Sequence, residues 1–203
     1  MIELLTESPL TPTSTLGPYR AADYMGLPDE PRCELIYGRF YVSPSPLPSH
    51  QTAVLELGVL VHALENDTGG REYVSPLDVT LADHAVVQPD VIYVSAERRE
   101  IIRERIEGAP DLLVEVLSPS TTRRDRNDKL KLYAEAGVSE YWLVDTDARH
   151  IEFLVLSLAG STSDQPNRFV VQTPRDGVYR SPVIEGLEVD IAAFWAAVEA
   201  RIA

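Results

Sequence analysis

Apolar residues recur along this chain at two spacings. From His50 to Asn66, Val54, Leu57, Val61 and Leu64 return every three or four positions and predict a helix, which "NDTGG" ends. Short apolar runs bounded by Gly, Pro and polar residues predict strands elsewhere. "ELIYGRFYVS" (34–43) reads as a hairpin of two β-prone arms around Gly38. "YVSPLDVTLA" (73–82), "QPDVIYVS" (88–95), "DLLVEVLS" (111–118), "EYWLVD" (140–145) and "HIEFLVLS" (150–157) each read as a strand. "AERREIIRERIEG" (96–108) reads as a charged, weakly amphipathic helix closed by Gly108. A further helix runs from about Arg124 to Ala136, where Gly137 stops it. The proline loop "SPSPLPSH" (43–50) and the lead-in with Pro9, Pro12, Pro18, Pro28 and Pro31 are read as irregular, with at most a short helix near Ala21 to Gly26. Residues 159–168 read as a polar loop, and two strand-like pieces follow it. The last helix, "DIAAFWAAVEARI", has Asp190 placed as its N-cap.

Between 50 and 145 the order is helix, strand, strand, strand, helix, strand, with the charged helix 96–108 inserted before the third strand. That order predicts a mixed α/β sheet with helices packed on it. A length of 203 residues suits one domain spanning 1–203, with an irregular lead-in over 1–33, a core over about 34–145 and C-terminal strands and a helix over 149–203. The net charge of −14 argues against sequence-independent binding to nucleic acid or to an anionic membrane, both of which need a positive surface. The lone cysteine, Cys33, excludes an internal disulfide and reads as a small apolar residue. No run approaches the ~18 apolar residues of a membrane span. "MIELLTESPL" carries acids where a secretory signal would carry Lys or Arg. A soluble cytoplasmic protein without a membrane partner is therefore expected.

Glu115 stands apart from this pattern. It interrupts the apolar run Leu112, Leu113, Val114, Val116, Leu117, whose strand is expected to be covered on both faces. An ionised carboxylate there is costly unless a cation or hydrogen-bond donors meet it, so Glu115 is a functional acid, half of a structural ion pair, or a residue at a solvated edge. Asp90 follows Pro89 at the start of another apolar strand. If the two strands are neighbours, the acids converge, and paired carboxylates with a backbone carbonyl suit a hard cation such as Mg²⁺. The helix after Glu115 offers the cation. With Lys129 at zero and about 100° per residue, Ala136 falls near −20°, Tyr133 near +40° and Leu132 near −60°. Lys129 thus lies on the apolar arc with Asp125, at about −40°, while Lys131 lies opposite, at about 200°. Lys129 either reaches the carboxylates or lies along the apolar surface with its head in water.

The stretches "ELIYGRFYVSPSP" with "HQ", "QPDVIYVS", "DLLVEVLSPST", "DRNDKLKLY" and "AGVSEYWLVD" resemble the PD-(D/E)xK superfamily of restriction-endonuclease-like nucleases, and more closely its Uma family. The likeness spans roughly residues 34 to 145 and continues more weakly to "GLEVDIAAFW". It implies an α/β fold, a restriction-endonuclease-like mixed β-sheet flanked by helices, with extra strands and a C-terminal helix. It also implies a divalent-metal-dependent endonuclease that hydrolyses DNA phosphodiesters using Mg²⁺ or Mn²⁺. Asp90, Glu115 and the Val116 carbonyl would be metal ligands. The "(D/E)xK" element here reads Glu115-Val116-Leu117, so the resemblance is to members whose lysine has moved to the neighbouring helix, as Lys129. The hairpin acid maps to Glu34 and the helix-start histidine to His50, with Gln88 and Asp125 lining the site. Each has a plainer reading: Glu34 as a solvated hairpin residue, His50 as a helix start, Asp125 as an i, i+4 partner of Lys129. The arginines of "TTRRDR", beside the proposed site, and of "ERREIIRER", before the Glu115 strand, are interspersed with acids and each reads first as a solvated, locally paired side chain, so weak and salt-dependent nucleic-acid affinity is expected unless a partner protein or a dimer supplies more surface. A binding module with negligible turnover, or a carboxylate-pair hydrolase of another substrate, stays open beside the nuclease. A homodimer would suit the cutting of a duplex.

Overall fold

The computed structural model describes residues 4–5, 16–28, 30–158 and 167–202. In chain order its elements are β1 (Leu4–Leu5), α1 (Ala21–Met25), β2 (Cys33–Ile36), β3 (Arg39–Val42), α2 (Pro48–His62), α3 (Glu65–Thr68), β4 (Arg71–Val74), β5 (Val79–Ala82), β6 (Ala85–Val87) and β7 (Val91–Val94). A 3₁₀ turn (Ala96–Ile101) leads to β8 (Ile106–Glu107) and β9 (Leu112–Val116). Then α4 (Thr122–Arg124), a π turn (Asp125–Lys129) and α5 (Leu130–Ala136) form one continuous helical stretch. The rest is β10 (Glu140–Asp145), β11 (His150–Ser157), β12 (Arg168–Gln172), β13 (Val178–Arg180), β14 (Glu188–Asp190) and α6 (Ile191–Ile202).

The strands pair as one sheet ordered β1-β3-β2-β6-β5-β8, a second ordered β12-β11-β10-β9-β7-β4, and the hairpin β13–β14. The second sheet is mixed: β9 runs parallel to β10 and antiparallel to β7. Strand alternation assigns its two faces. Leu112, Val114, Val116, Trp142 and Val144 pack with Val54, Leu57 and Val61 of α2 and with Phe194, Trp195 and Val198 of α6. Leu113, Ile92, Val94, Tyr141 and Leu143 pack with Ile36, Val79 and Val87 of the first sheet and with Leu132 and Tyr133 of α5. Glu115 shares the alternation of Leu113 and so faces this inter-sheet layer. A leucine in its place would add about 1.5–3 kcal/mol by burial, which the fold forgoes.

The hairpin at 34–43 forms as expected. Tyr37 and Gly38 both take positive φ, the conformation that a two-residue turn between right-twisted strands requires. Val54, Leu57, Val61 and Leu64 are all buried, Gly137 ends α5 with φ 86°, and Asp190 caps α6 by accepting the Ala193 N–H at 3.0 Å. Four expectations are corrected. The run 73–82 is two strands, β4 in the second sheet and β5 in the first, because Pro76 cannot donate to a ladder. The helix expected over 96–108 is only a 3₁₀ turn, because Ile106 and Glu107 pair with β5 and bury Ile106 between the sheets. The loop 43–50 yields its last residues to α2, which starts at Pro48, where a proline's missing N–H costs nothing. The lead-in contributes β1, parallel to β3. Most of the loop expected at 159–168 lies outside the described residues. Among the described residues no helix is long and apolar enough to cross a membrane.

Candidate active site

The β7–β9 register pairs Val91 with Val114, so its extension by one residue sets Asp90 opposite Glu115. Asp90 precedes the paired part of β7, and its N–H donates to the Val114 carbonyl at 3.0 Å. Its Oδ2 accepts the Val116 N–H at 2.8 Å and lies 3.2 Å from His50 Nε2. Burial lowers the pKa of His50, but the Asp90 carboxylate and the Val116 backbone outweigh it, so the ring protonates more readily than a free histidine.

Lys129 is the hub of the cleft. Its Nζ donates to Glu115 Oε1 at 2.7 Å and to Glu34 Oε1 at 2.9 Å, and lies 3.6 Å from Asp125 Oδ1. Its side chain is 3% exposed, whereas that of Lys131 is 70% exposed, as the helical arc predicts. Burial disfavours the ammonium, yet the surrounding carboxylates raise its pKa above the ordinary lysine value. Glu34 also accepts the Gln88 N–H at 2.9 Å. Burial pushes the Glu34 carboxyl up, but Lys129, Arg124 and that N–H hold it below the usual range. Gln88 therefore meets Glu34 through its backbone, while its side chain donates to Asp78 at 2.9 Å. Glu34 is not a solvated hairpin residue.

Glu115 is 5% exposed, and its Oε1 accepts a second bond from the Tyr133 hydroxyl at 2.8 Å. Burial raises its pKa well above the usual carboxylate range. Lys129 opposes that rise, and Asp125, Glu34 and Asp90 add to it. Asp125 is 1% exposed, and neither of its carboxylate oxygens has a hydrogen-bond partner among the described residues. Burial raises its pKa against the pull of Lys129 and Arg124.

All eight singled-out residues, Glu34, His50, Gln88, Asp90, Glu115, Val116, Asp125 and Lys129, line one cleft of about 240 Å³. Arg124 and Tyr133 also reach these carboxylates, although the sequence assigned Arg124 to solvent and Tyr133 only to the apolar arc. With about 100° per residue, Arg124 falls some 140° from Lys129, on the solvated side. The π turn cancels this. Its Leu130 N–H reaches back to the Asp125 carbonyl, so residues five apart come to lie one turn apart. Arg124 and Lys129 thereby share Glu34, with Arg124 Nη2 3.8 Å from Glu34 Oε2.

Five acids, Glu34, Asp90, Glu115, Asp125 and Asp147, and three permanent cations, Arg32, Arg124 and Lys129, line the cleft, and burial with this crowding of carboxylates holds the Glu115 carboxyl well above its usual range. Asp90 Oδ1 and Glu115 Oε2 stand outside the bonds described above. This hard-oxygen donor set fits a divalent ion such as Mg²⁺, which takes one or two carboxylates and keeps waters. Among the described residues, the group of three His, Cys, Asp or Glu with ligand atoms all within 4.8 Å lies elsewhere, at His62, Glu65 and Glu72. There His62 Nδ1 is already paired with Glu72 at 3.1 Å.

Among curated proteins, none matches. The crystal structure of a nuclease from Anabaena variabilis ATCC 29413, described as "putative" and belonging to DUF820, superposes with a TM-score of 0.69 at 21% sequence identity. The match covers 89% of this chain and 99% of that one, and shows a shared fold. The family model Uma2, described as "Putative restriction endonuclease", matches residues 21–192, which include every cleft residue named above. The chain belongs to the Uma2 family.

Proposed function

We propose that this protein is a divalent-metal-dependent endonuclease that hydrolyses phosphodiester bonds of DNA in the cleft between β7, β9 and the π turn. The observation that carries the reading is the convergence of half-buried Asp90 with buried Glu115 and Lys129 in one cleft, each acid with one oxygen outside the bonds named above. Asp90, Glu115 and the Val116 carbonyl would hold Mg²⁺ or Mn²⁺. When bound, the ion supplies Lewis acidity toward a phosphoryl oxygen and lowers the pKa of water.

The chain's own residues do the rest. Lys129 stays protonated because three carboxylates surround it, so it acts as a cation and hydrogen-bond donor, not as a base. It orients the attacking water and stabilises the charge that builds on the phosphoryl oxygens. Glu34 acts through Lys129, holding the ammonium together with Glu115. Tyr133 and Lys129 together hold one oxygen of Glu115, which leaves the other for the cleft. His50 and the Val116 N–H hold Asp90 in the same way. Two copies acting together would cut both strands of a duplex.

The test is cleavage of plasmid and single-stranded DNA with Mg²⁺ or Mn²⁺ by wild type and Glu115→Gln. Glu115→Gln is expected to lose cleavage by about 10²–10³-fold or more while remaining folded. Full activity in that variant would sink the proposal. Metal binding without any cleavage by the wild type would favour a binding module on the same fold.

A further inference from the structure

Within "TTRRDR" the fold treats its three arginines differently. Arg123 is exposed, and Arg126 pairs with Glu152 at 2.6 Å. Arg124 is buried, with its side chain only 3% exposed. Its contact with Glu34, at 3.8 Å, is too long for a hydrogen bond, and its Nε has no partner among the described residues. Glu34 is served at closer range by Lys129 and by the Gln88 N–H, both at 2.9 Å. The Tyr41 ring lies 5.4 Å from the guanidinium carbon and supports one face of the group. A buried guanidinium with an unanswered donor is costly, and the space it borders is the cleft. Arg32, half-buried, lines the same cleft.

We propose that Arg124 is the phosphate-binding residue of this cleft, its guanidinium gripping oxygens of a backbone phosphate in the strand laid across Asp90 and Glu115. The proposal rests on the phosphodiesterase reading above and adds the residue that holds the substrate. The planar fork of arginine matches two phosphate oxygens at once, which a lysine ammonium cannot do. Burial also matters for a chain of charge −14. A desolvated cation attracts phosphate with less screening than a surface arginine, so one such group can admit a polyanion to an acidic protein.

The test measures binding of a fluorescein-labelled DNA duplex, with Ca²⁺ as the only divalent ion, to wild type, Arg124→Lys and Arg124→Gln, with thermal unfolding of each. Arg124→Lys keeps the charge that faces Glu34 and Asp125, so a merely structural role survives it. The expected result is near-wild-type unfolding of Arg124→Lys with duplex affinity lowered roughly ten- to a hundredfold, the worth of a charge-assisted hydrogen bond. Inorganic phosphate should compete with duplex for the wild type and not for Arg124→Lys. Wild-type affinity in Arg124→Lys, or no duplex binding by the wild type, overturns the proposal. The two readings fail separately. Cleavage with intact binding in Arg124→Lys removes the clamp and keeps the nuclease, whereas Arg124-dependent binding without cleavage under any metal does the reverse.

Discussion

Two glutamates lie buried in neighbouring parallel strands, Glu115 in β9 and Glu140 in β10, and the fold answers them in opposite ways. Glu140, fully buried on the α2/α6 face, accepts bonds from Trp142 Nε1 at 2.6 Å, Tyr179 OH at 2.5 Å and Ser181 Oγ at 2.5 Å. All three donors are neutral, and no second carboxylate is among the causes that shift its pKa. It ties β13 and the turn after it to the second sheet. Glu115, on the other face, receives one neutral donor and one ammonium on a single oxygen, beside three further carboxylates. Hydrogen bonding closes the Glu140 site and makes it structural. On the function proposed above, the crowding of carboxylates around Glu115 suits its site to a cation. Burial of an acid thus says little by itself; the charge and number of its partners separate a staple from a site.

Lys129→Ala should separate the two regions most strongly. It removes the shared partner of Glu115, Glu34 and Asp125, and its expected loss of stability is about 3–5 kcal/mol, the cost of breaking a buried ion pair. Urea denaturation checks this, and the same variant should lose cleavage. Glu140→Gln should cost less, about 1–3 kcal/mol for donors left poorly met. Its cleavage rate per folded molecule should match wild type, because among the described residues none of its side-chain hydrogen-bond partners, Trp142, Tyr179 and Ser181, lines the cleft. A cleavage defect in folded Glu140→Gln would blur the distinction drawn above.

The smallest effect is a dependence on pH. The Glu115 carboxyl is held above its unfolded value, so the stability it contributes is present below the ordinary carboxylate pKa. That contribution is lost as pH rises toward the folded value. Without divalent metal, Glu115→Gln should therefore gain on wild type from acid to neutral pH, by at most about 1.4 kcal/mol per pH unit. Glu34 has the opposite sign. Its pKa is lowered, so its contribution is present above the ordinary carboxylate range and is lost as pH falls through the folded value. Glu34→Gln should lose on wild type at neutral pH and converge with it in acid. Denaturation series across pH measure both slopes.

The sequence carried the strand acids and the lysine because each depends on a local period: Glu115 breaks an apolar run, Asp90 follows a proline, and Lys129 falls on an apolar arc. It did not carry Arg124, because the period that locates Lys129 assigns Arg124 to solvent, and only the π turn reverses that. Nor did it separate Glu115 from Glu140, which begins its own apolar strand, since the donors to Glu140 come from Tyr179 and Ser181, about forty positions away. The 3₁₀ turn at 96–101 and the division of 73–82 between two sheets were likewise hidden, because pairing across sheets decides them.

If Glu115 is the functional acid and Glu140 the structural one, the Glu115 site, and not the Glu140 site, takes a divalent cation. Electron paramagnetic resonance of Mn²⁺ titrated into wild type, Glu115→Gln and Glu140→Gln tests it most directly. Saturable binding by wild type and Glu140→Gln, weakened at least about tenfold in Glu115→Gln, is the predicted result. Equal Mn²⁺ binding by Glu115→Gln and wild type, or none by folded wild type, would contradict it.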